Sequence, residues 1–258
     1  MVITKLLGEE IYEAEKTLKP IPPITESHPG ITVDEAYETQ LQYVERRFAD
    51  GTRVAGKKIG LTSKAMQEML GVDRPDYGHI LEDMIFSEDT PVDAGRFIAP
   101  RVEFEIAFIL KQDINGADVT VENVAEAIEF AVPAAEIIDS RIRDWKIKFE
   151  DTVADNGSSA GAVLGNTRVP LADIALPSVR MEVFKNGEKI NEGQGSAVLG
   201  NPLKAVVWLA EALHQYGISL KAGEVILAGA LTKAEDVRSG DTFKATFDGL
   251  GEVKVTFS

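Results

Sequence analysis

The chain has 258 residues, 44% of them hydrophobic, which is enough for one large domain or two small ones with a sizeable core. Its 27 basic and 42 acidic residues give a net charge of −15, which argues against binding to nucleic acids or anionic membranes. The absence of cysteine excludes disulfides and thiol chemistry, and no apolar run approaches the roughly 18 residues of a membrane span. Since the N-terminus also lacks a signal-peptide pattern, we expect a cytoplasmic protein.

The N-terminal part of the chain is predicted to be helical. Residues 3–19 place apolar side chains on one stripe of a helix, and the proline-rich residues 20–23 end it. Residues 32–35 (TVDE) form a capping-box pattern, which predicts a second helix that ends near Gly51. Both apolar stripes indicate packing against the rest of the protein.

A predicted strand over residues 54–62 carries two adjacent lysines. Because successive side chains of a strand point to opposite faces, we expect one of Lys57 and Lys58 to point inward and the other outward. A lysine in an apolar or metal-bearing pocket can have its pKa lowered and act as an acid or a base. Two surface lysines are the alternative interpretation. Ser63 then starts a predicted short helix that ends at Gly71.

Residues 72–80 are predicted to form a loop, because they contain proline and glycine. The segment concentrates polar side chains, among them Asp76 and His79, and such loops often form the wall of an active site. The three histidines of the chain do not have the spacing of a zinc site.

The most informative segment is residues 101–110 (RVEFEIAFIL), which predicts a strand because β-branched and aromatic residues dominate it. Glu103 and Glu105 point to the same face of this strand, whereas the other face is wholly apolar. Two carboxylates so close together need a cation, or one of them must take up a proton. Oxygen ligands suit a hard divalent ion such as Mg²⁺. A solvated pair of glutamates is the alternative.

A third carboxylate supports the cation. Glu136 interrupts the apolar run of residues 130–139, and buried glutamates are rare unless they are paired or coordinate a metal. It could therefore complete a cation site with the two glutamates of the preceding strand. Alternatively, Glu136 forms a salt bridge with Arg141 or Arg143.

The remaining segments predict loops and strands. Residues 155–161 (DNGSSAG) form a small polar loop that could bring backbone amides near a ligand, but they lack the P-loop and dinucleotide-binding patterns. Asn186-Gly187 predicts a type I′ hairpin, and Asn201-Pro202 predicts the start of a helix. Residues 223–231 are an expected apolar strand, and residues 243–257 are an expected closing hairpin.

Several motifs occur in a fixed order along nearly the whole chain. They are residues 56–64 (GKKIGLTSK), 75–78 (PDYG), 100–107 (PRVEFEIA), 133–141 (PAAEIIDSR) and 151–156 (DTVADN). In this combination the chain resembles the hydratase/decarboxylase family of meta-cleavage aromatic degradation, within the fumarylacetoacetate hydrolase superfamily. Residues 141–146 (RIRDWK) resemble the 2-hydroxypenta-2,4-dienoate (2-keto-4-pentenoate) hydratases most, whereas the sister 4-oxalocrotonate decarboxylases share the metal motif.

The resemblance implies a fold of the α/β (α+β) class, a mixed β-roll with flanking helices. Residues 1–72 would form an N-terminal helical region, and residues 73–258 a catalytic β-roll domain as one compact unit. The family also implies a homo-oligomer, a pentamer or a decamer, and a complex with the next enzyme of the pathway is a further expectation.

A metal site and a catalytic lysine are further implications of the resemblance. Mg²⁺ or Mn²⁺ would be held by three carboxylates, which map to Glu103, Glu105 and Glu136. The catalytic lysine maps to Lys58, the second lysine of the pair. A non-enzymatic acidic protein, whose carboxylates bind a structural ion, is the competing hypothesis.

The implied substrate is a 2-hydroxy-dienoate or its 2-oxo tautomer. A hydratase would add water at C4 and yield 4-hydroxy-2-oxopentanoate, whereas a decarboxylase would release CO₂ at the same metal centre. Ser158 and Leu61 are the candidate substrate-binding residues, and Asp76 or Glu82 is a candidate for positioning the water.

Overall fold

Two β-sheets form the centre of the computed structural model, which describes residues 3–116 and 118–258. Within these residues the α-helices are Ile3–Thr17 (α1), Ile24–Ser27 (α2), Val33–Phe48 (α3), Lys64–Leu70 (α4), Val121–Ala127 (α5), Phe149–Ala154 (α6) and Pro202–His214 (α7). The strands are Val54–Gly60 (β1), Asp76–Leu81 (β2), Ile85–Phe86 (β3), Arg101–Leu110 (β4), Ile128–Ile138 (β5), Ser159–Leu164 (β6), Arg180–Lys185 (β7), Glu188–Gln194 (β8), Val225–Ala230 (β9), Glu235–Asp236 (β10), Thr242–Phe247 (β11) and Gly251–Thr256 (β12).

The larger sheet has eight strands in the order β2-β1-β9-β4-β5-β6-β3, and β10 pairs with the first two residues of β4. The pairs β1–β9 and β3–β6 are parallel and the others are antiparallel, so the sheet is mixed. The smaller sheet has four antiparallel strands in the order β12-β11-β7-β8. This architecture confirms the predicted mixed sheet with flanking helices.

The centre of the larger sheet is the predicted strand β4. The face that carries Val102, Phe104 and Ile106 is buried in the apolar core, as the alternation predicted. The opposite face is also buried, including both of its glutamates, so a pair of solvated glutamates is excluded. One face of the sheet therefore has ionisable side chains buried within the protein.

The N-terminal helices pack beside this sheet. Thr32 caps α3 with a reciprocal hydrogen-bond pair to Glu35, which confirms the predicted capping box. Helix α1 packs on α3, and α3 packs on α6, so the helical segment is joined to the rest of the protein. The boundary at residue 72 stays a prediction, and β1, which precedes it, pairs with β2 and β9, which follow it.

Turns and caps follow the local sequence. Asn186 and Gly187 both have positive φ in the β7–β8 hairpin, as a type I′ turn requires. Ser63 caps α4 and Gly71 ends it in the left-handed conformation. No helix of the described residues is long and apolar enough to cross a membrane.

Candidate active site

The pairing of β4 with β5 brings three glutamates together. Glu103 lies directly opposite Glu136 in the antiparallel register, and Glu105 lies two residues further along the same face. One carboxylate oxygen from each of the three lies within 4.8 Å of the others. The structure thus places the three predicted metal ligands, which are far apart in sequence, in one cluster.

Because the cluster is buried, three ionised carboxylates without a cation would be energetically unfavourable. Glu103 is 7% exposed and Glu136 is fully buried, and neither oxygen of Glu136 has a hydrogen-bond partner among the described residues. Glu105 Oε2 accepts a hydrogen bond of 2.7 Å from the backbone N–H of Gly229. Burial raises the pKa of Glu103 to about 7 and raises the pKa values of Glu105 and Glu136 as well.

These properties fit a hard divalent cation. Three oxygen donors within reach of one point are the ligand set that Mg²⁺ or Mn²⁺ prefers. A cation would also satisfy the unpartnered oxygens of Glu136 and remove the cost of burying three like charges. The cluster is therefore a candidate metal centre.

Lys58 extends from β1 to the edge of this cluster. Its Nζ lies 3.6 Å from Glu136 Oε2 and donates a hydrogen bond of 2.9 Å to the carbonyl oxygen of Gly157. Burial disfavours the charged amine, but the surrounding carboxylates outweigh it and raise the pKa of Lys58. With the carboxylates free of a cation, the lowering of the Lys58 pKa by burial is therefore outweighed, because four carboxylates that are distant in sequence surround this lysine.

Lys57 lies on the other face of β1, as alternation requires, yet it is only 2% exposed. Its Nζ lies 3.0 Å from Glu224 Oε1, and burial lowers the pKa of Lys57 although Glu224 opposes this. The expectation that one of the two lysines faces outward is wrong, because both faces of β1 are covered. Lys57 is paired away from the glutamate cluster, so only Lys58 reaches it.

The predicted loop over residues 72–80 is wrong from Asp76 onward, where the chain forms the buried strand β2. Pairing with β1 and cover on both faces outweigh the local glycine. Asp76 lies opposite Gly60, and a Cβ at position 60 would lie 2.1 Å from Asp76 Oδ1, so a side chain there would displace the Asp76 carboxylate. Burial raises the pKa of Asp76, with Lys58 opposing.

His79 does not belong to the cluster. It lies in register with Lys57 on the opposite face of β2, and its Nδ1 is 2.9 Å from Gln40 Oε1. Burial lowers the pKa of His79 to about 3, with Lys57 contributing, so the ring is neutral at pH 7. Glu82, a candidate for positioning water, is exposed beyond the far end of β2 from Asp76.

The turn after α6 brings the carbonyl oxygen of Gly157 to Lys58 and places Ser158 in the wall of the adjoining cavity. Three consecutive residues, Asn156, Gly157 and Ser158, have φ values of 57°, 60° and 55°. The Asn156 side chain accepts a hydrogen bond of 2.7 Å from the N–H of His79 and donates one of 2.9 Å to its carbonyl oxygen. This clamp directs the carbonyl oxygen of Gly157 to Lys58. The loop was expected to offer backbone amides, and it offers a carbonyl to the lysine instead.

A buried arginine holds the start of the same turn. Arg141 Nε donates a hydrogen bond of 2.6 Å to Asp155 Oδ1, and its guanidinium also donates to the carbonyl oxygens of Asp139 and Ser159. Burial raises the pKa of Asp155 to about 6, against the lowering effect of Arg141. Because Arg141 is fully engaged here, a salt bridge with Glu136 is excluded, and Arg143 is exposed.

A cavity of about 330 Å³ opens from the cluster to the surface. Its walls include five of the predicted site residues: Lys58, Leu61, Asp76, Glu103 and Ser158. Thr152, Trp145 and the methionines of α4 also line it. Thr152 and Trp145 lie in two of the ordered motifs, but the sequence analysis assigned no role to any of these residues. The structure thus collects the predicted lysine, carboxylates and substrate-binding positions around one cavity.

Three buried carboxylates and a lysine beside an open cavity are the arrangement of an enzyme with a divalent metal site. The model of the family described as Fumarylacetoacetate (FAA) hydrolase C-terminal matches residues 59–258, and the chain belongs to that family.

Curated relatives narrow the assignment within this family to hydratases. It is 44% identical over 253 residues to a 2-hydroxyhexa-2,4-dienoate hydratase of Comamonas testosteroni, covering 97% of this chain and 96% of the relative. It is 43% identical over 250 residues to a 2-keto-4-pentenoate hydratase of Paraburkholderia xenovorans (strain LB400), covering 97% and 93%. Both are named hydratases, so the predicted membership of the hydratase group is confirmed.

A solved structure agrees with the whole fold. The 4-oxalocrotonate decarboxylase from Pseudomonas putida G7, complexed with magnesium and adipate, superposes with a TM-score of 0.96 at 34% identity. The match covers 99% of this chain and 97% of that chain. The predicted fold of the fumarylacetoacetate hydrolase type is confirmed.

Proposed function

We propose that this chain is a metal-dependent hydratase that adds water to 2-hydroxypenta-2,4-dienoate. The observation that carries the proposal is the position of Lys58 between the three-glutamate cluster and a cavity open to a small molecule. The hydratase names of relatives that match nearly the full length of the chain support the same reaction.

Glu103, Glu105 and Glu136 are the residues that would hold Mg²⁺ or Mn²⁺. When bound, such an ion supplies Lewis acidity toward an oxygen-bearing substrate. The magnesium in the related decarboxylase structure supports the choice of a divalent ion.

The overall reaction has two stages. In the first, the 2-hydroxyl group loses its proton and C5 gains one, which gives 2-oxopent-3-enoate. In the second, the hydroxyl of a water adds to C4 and its proton to C3, which gives 4-hydroxy-2-oxopentanoate. Both stages move protons between oxygen and carbon, so the site needs a proton carrier beside the substrate.

Lys58 is the group that we assign to proton transfer. Its ammonium is held by Gly157 and faces the cavity, and the surrounding carboxylates stabilise its charged form. Ser158 and Leu61 line the same cavity and would contact the substrate. Asp76, buried beside Lys58 and given a hydrogen bond by Thr152, would position the water.

The test is turnover of 2-hydroxypenta-2,4-dienoate by the purified chain with Mg²⁺, followed by loss of the dienol absorbance and identification of the product. We expect 4-hydroxy-2-oxopentanoate and no CO₂. Dienol loss without that product would refute the hydratase. Titration of Mg²⁺ with and without a 2-oxo acid separates a catalytic from a structural ion, because a structural site would show no coupling between the two ligands.

Decarboxylation is the second candidate reaction, and the high TM-score with the 4-oxalocrotonate decarboxylase favours it. The identity to that enzyme, 34%, is lower than the 44% to a hydratase, so we place hydration first. Release of CO₂ from 4-oxalocrotonate at a rate above that of dienoate hydration would reverse the order.

We further propose a cytoplasmic homo-oligomer, a pentamer or a decamer, which acts in aromatic catabolism and contacts the next enzyme of the pathway. The proposal rests on the family. Light scattering at micromolar concentration should report a particle larger than a dimer, and a monomer would refute it.

A further inference from the structure

The walls of the cavity change from polar to apolar between its floor and its rim. At the floor, Lys58, Asp76, Glu103 and Ser158 are all at most 7% exposed. Most of the half-buried and exposed side chains at the rim are apolar: Met66, Met69, Leu70, Trp145 and Ile147. A ligand with a charged head and an apolar tail matches this gradient.

Helix α4 forms one side of the rim and has no buried residue. Met69 is 73% exposed, the most exposed large hydrophobic side chain among the described residues. Met66 and Leu70 are half-buried and also line the cavity. Flexible methionines adapt to apolar ligands of different shape, and an exposed apolar patch beside a cavity indicates a surface that a ligand covers.

Two cations also line the cavity, but both have acidic partners. Arg101 Nε lies 3.0 Å from Asp236 Oδ1, and its guanidinium stacks 4.5 Å above the ring of Trp145. Lys233 Nζ lies 3.6 Å from Glu235 Oε1 and its side chain is 76% exposed. A second carboxylate on the ligand would compete with these acidic groups and gain little from a solvated lysine.

We propose that α4 determines the substrate range of the site by binding an alkyl group attached to C5 of the dienoate. The preferred substrates are then 2-hydroxy-2,4-dienoates with a short alkyl extension, ahead of the unsubstituted pentadienoate and of dicarboxylates. This inference rests on the proposed function for the orientation of the substrate, with its carboxylate head at the glutamate cluster. Each buried methylene contributes about fourfold in affinity.

Binding of inert 2-oxo acids tests the tail site without turnover. The ligands are pyruvate, 2-oxopentanoate, 2-oxohexanoate and 2-oxoadipate, titrated with Mg²⁺ present. We expect the Kd to fall by about fourfold from 2-oxopentanoate, whose chain ends at C5, to 2-oxohexanoate, whose sixth carbon takes the place of the alkyl group on C5. The dicarboxylate 2-oxoadipate should bind more weakly than 2-oxohexanoate. Equal Kd values for 2-oxopentanoate and 2-oxohexanoate, or tightest binding of 2-oxoadipate, would overturn the inference.

Variants locate the effect on α4. Met69→Ala and Leu70→Ala should each bring the ratio of Kd values between 2-oxopentanoate and 2-oxohexanoate closer to one. Leu6→Ala, at a 44% exposed leucine of α1, is the matched control and should keep the wild-type ratio. A ratio unchanged in both α4 variants would assign the tail to another wall and overturn the role of α4.

Turnover separates this inference from the proposed function. We expect kcat/KM to be higher for 2-hydroxyhexa-2,4-dienoate than for the pentadienoate, and Met69→Ala to reduce the difference. If no dienoate is hydrated but the Kd series keeps its slope, the proposed function fails and the tail site stands. If the dienoates are hydrated but the slope is absent, the tail site fails alone.

Discussion

Lys58 Nζ lies 3.6 Å from Glu136 Oε2, at the boundary between the glutamate cluster and the cavity. The contact joins β1 to β5 across two intervening strands of the larger sheet, β9 and β4. It places an ammonium beside the carboxylates that would hold a cation. Proton transfer and metal binding therefore depend on the same few buried side chains, and substitutions can separate them.

Glu103→Gln should lose most of the affinity for Mg²⁺ and keep the fold. Glutamine preserves the shape of the side chain but removes one of three anionic ligands, and ligand charge governs affinity for hard cations. We expect a loss larger than the roughly 10–100-fold that removal of a supporting partner of a ligand costs. Calorimetric titration of Mg²⁺ measures it, with Glu182→Gln, at an exposed glutamate, as control. Wild-type affinity in Glu103→Gln would refute the metal site.

Lys58→Ala should reduce kcat by roughly 10²–10⁴ while Mg²⁺ and a 2-oxo acid still bind. The substitution removes the only lysine that reaches the cluster among the residues described, and this is the usual cost of losing a proton carrier. The measurement is kcat at saturating metal. Unimpaired turnover would assign proton transfer to another group.

Lys57→Ala should affect stability instead of chemistry. It leaves Glu224 buried without its ion-pair partner, and breaking a buried pair costs about 3–5 kcal/mol. Denaturant unfolding measures the loss of stability, and kcat should stay within a few-fold of wild type. If Lys57→Ala loses turnover and Lys58→Ala does not, the assignment of the two lysines is inverted.

Asn156→Ala should lower kcat more than it raises KM. The variant loses two hydrogen bonds to β2, each contributing about 0.5–1.5 kcal/mol, and puts alanine at a φ of 57°. The turn can then move, and the carbonyl of Gly157 no longer orients Lys58. Asn156→Asp keeps the acceptor oxygen and should be intermediate. A lower melting temperature with wild-type kcat in both variants would mean that the clamp has only a structural role.

Without a bound cation, the protein should become less stable as pH rises from about 4.5 to about 7. Burial raises the pKa of Glu103 to about 7, so the folded state binds a proton in this range that the unfolded state has lost. A shift of this size corresponds to about 3 kcal/mol. Unfolding free energies at pH 5 and pH 8 measure the effect, and Mg²⁺ should abolish it by stabilising the ionised carboxylates. Glu103→Gln should lose less stability than wild type between pH 5 and pH 8. A loss as large as in wild type would contradict the assignment to Glu103.

The sequence by itself determined the strand β4 and the common face of its two glutamates. A period of two places Glu103 and Glu105 together whatever surrounds the strand, and an apolar run indicates that Glu136 is buried. Capping residues and the Asn-Gly pair likewise specify α3, α4 and the β7–β8 hairpin, because these signals act within a few residues. Ordered motifs carried the assignment to the family.

Only the tertiary structure decided which groups meet. Residues far apart in sequence supply the partners of both lysines: Glu136 and Gly157 for Lys58, and Glu224 for Lys57. Residues 76–81 became a strand because β1 offers hydrogen bonds along their whole length, which local glycine and proline signals do not reveal. Side-chain alternation states the face that a residue occupies, but whether that face is buried, and what charge it meets, depends on the packing of the whole sheet.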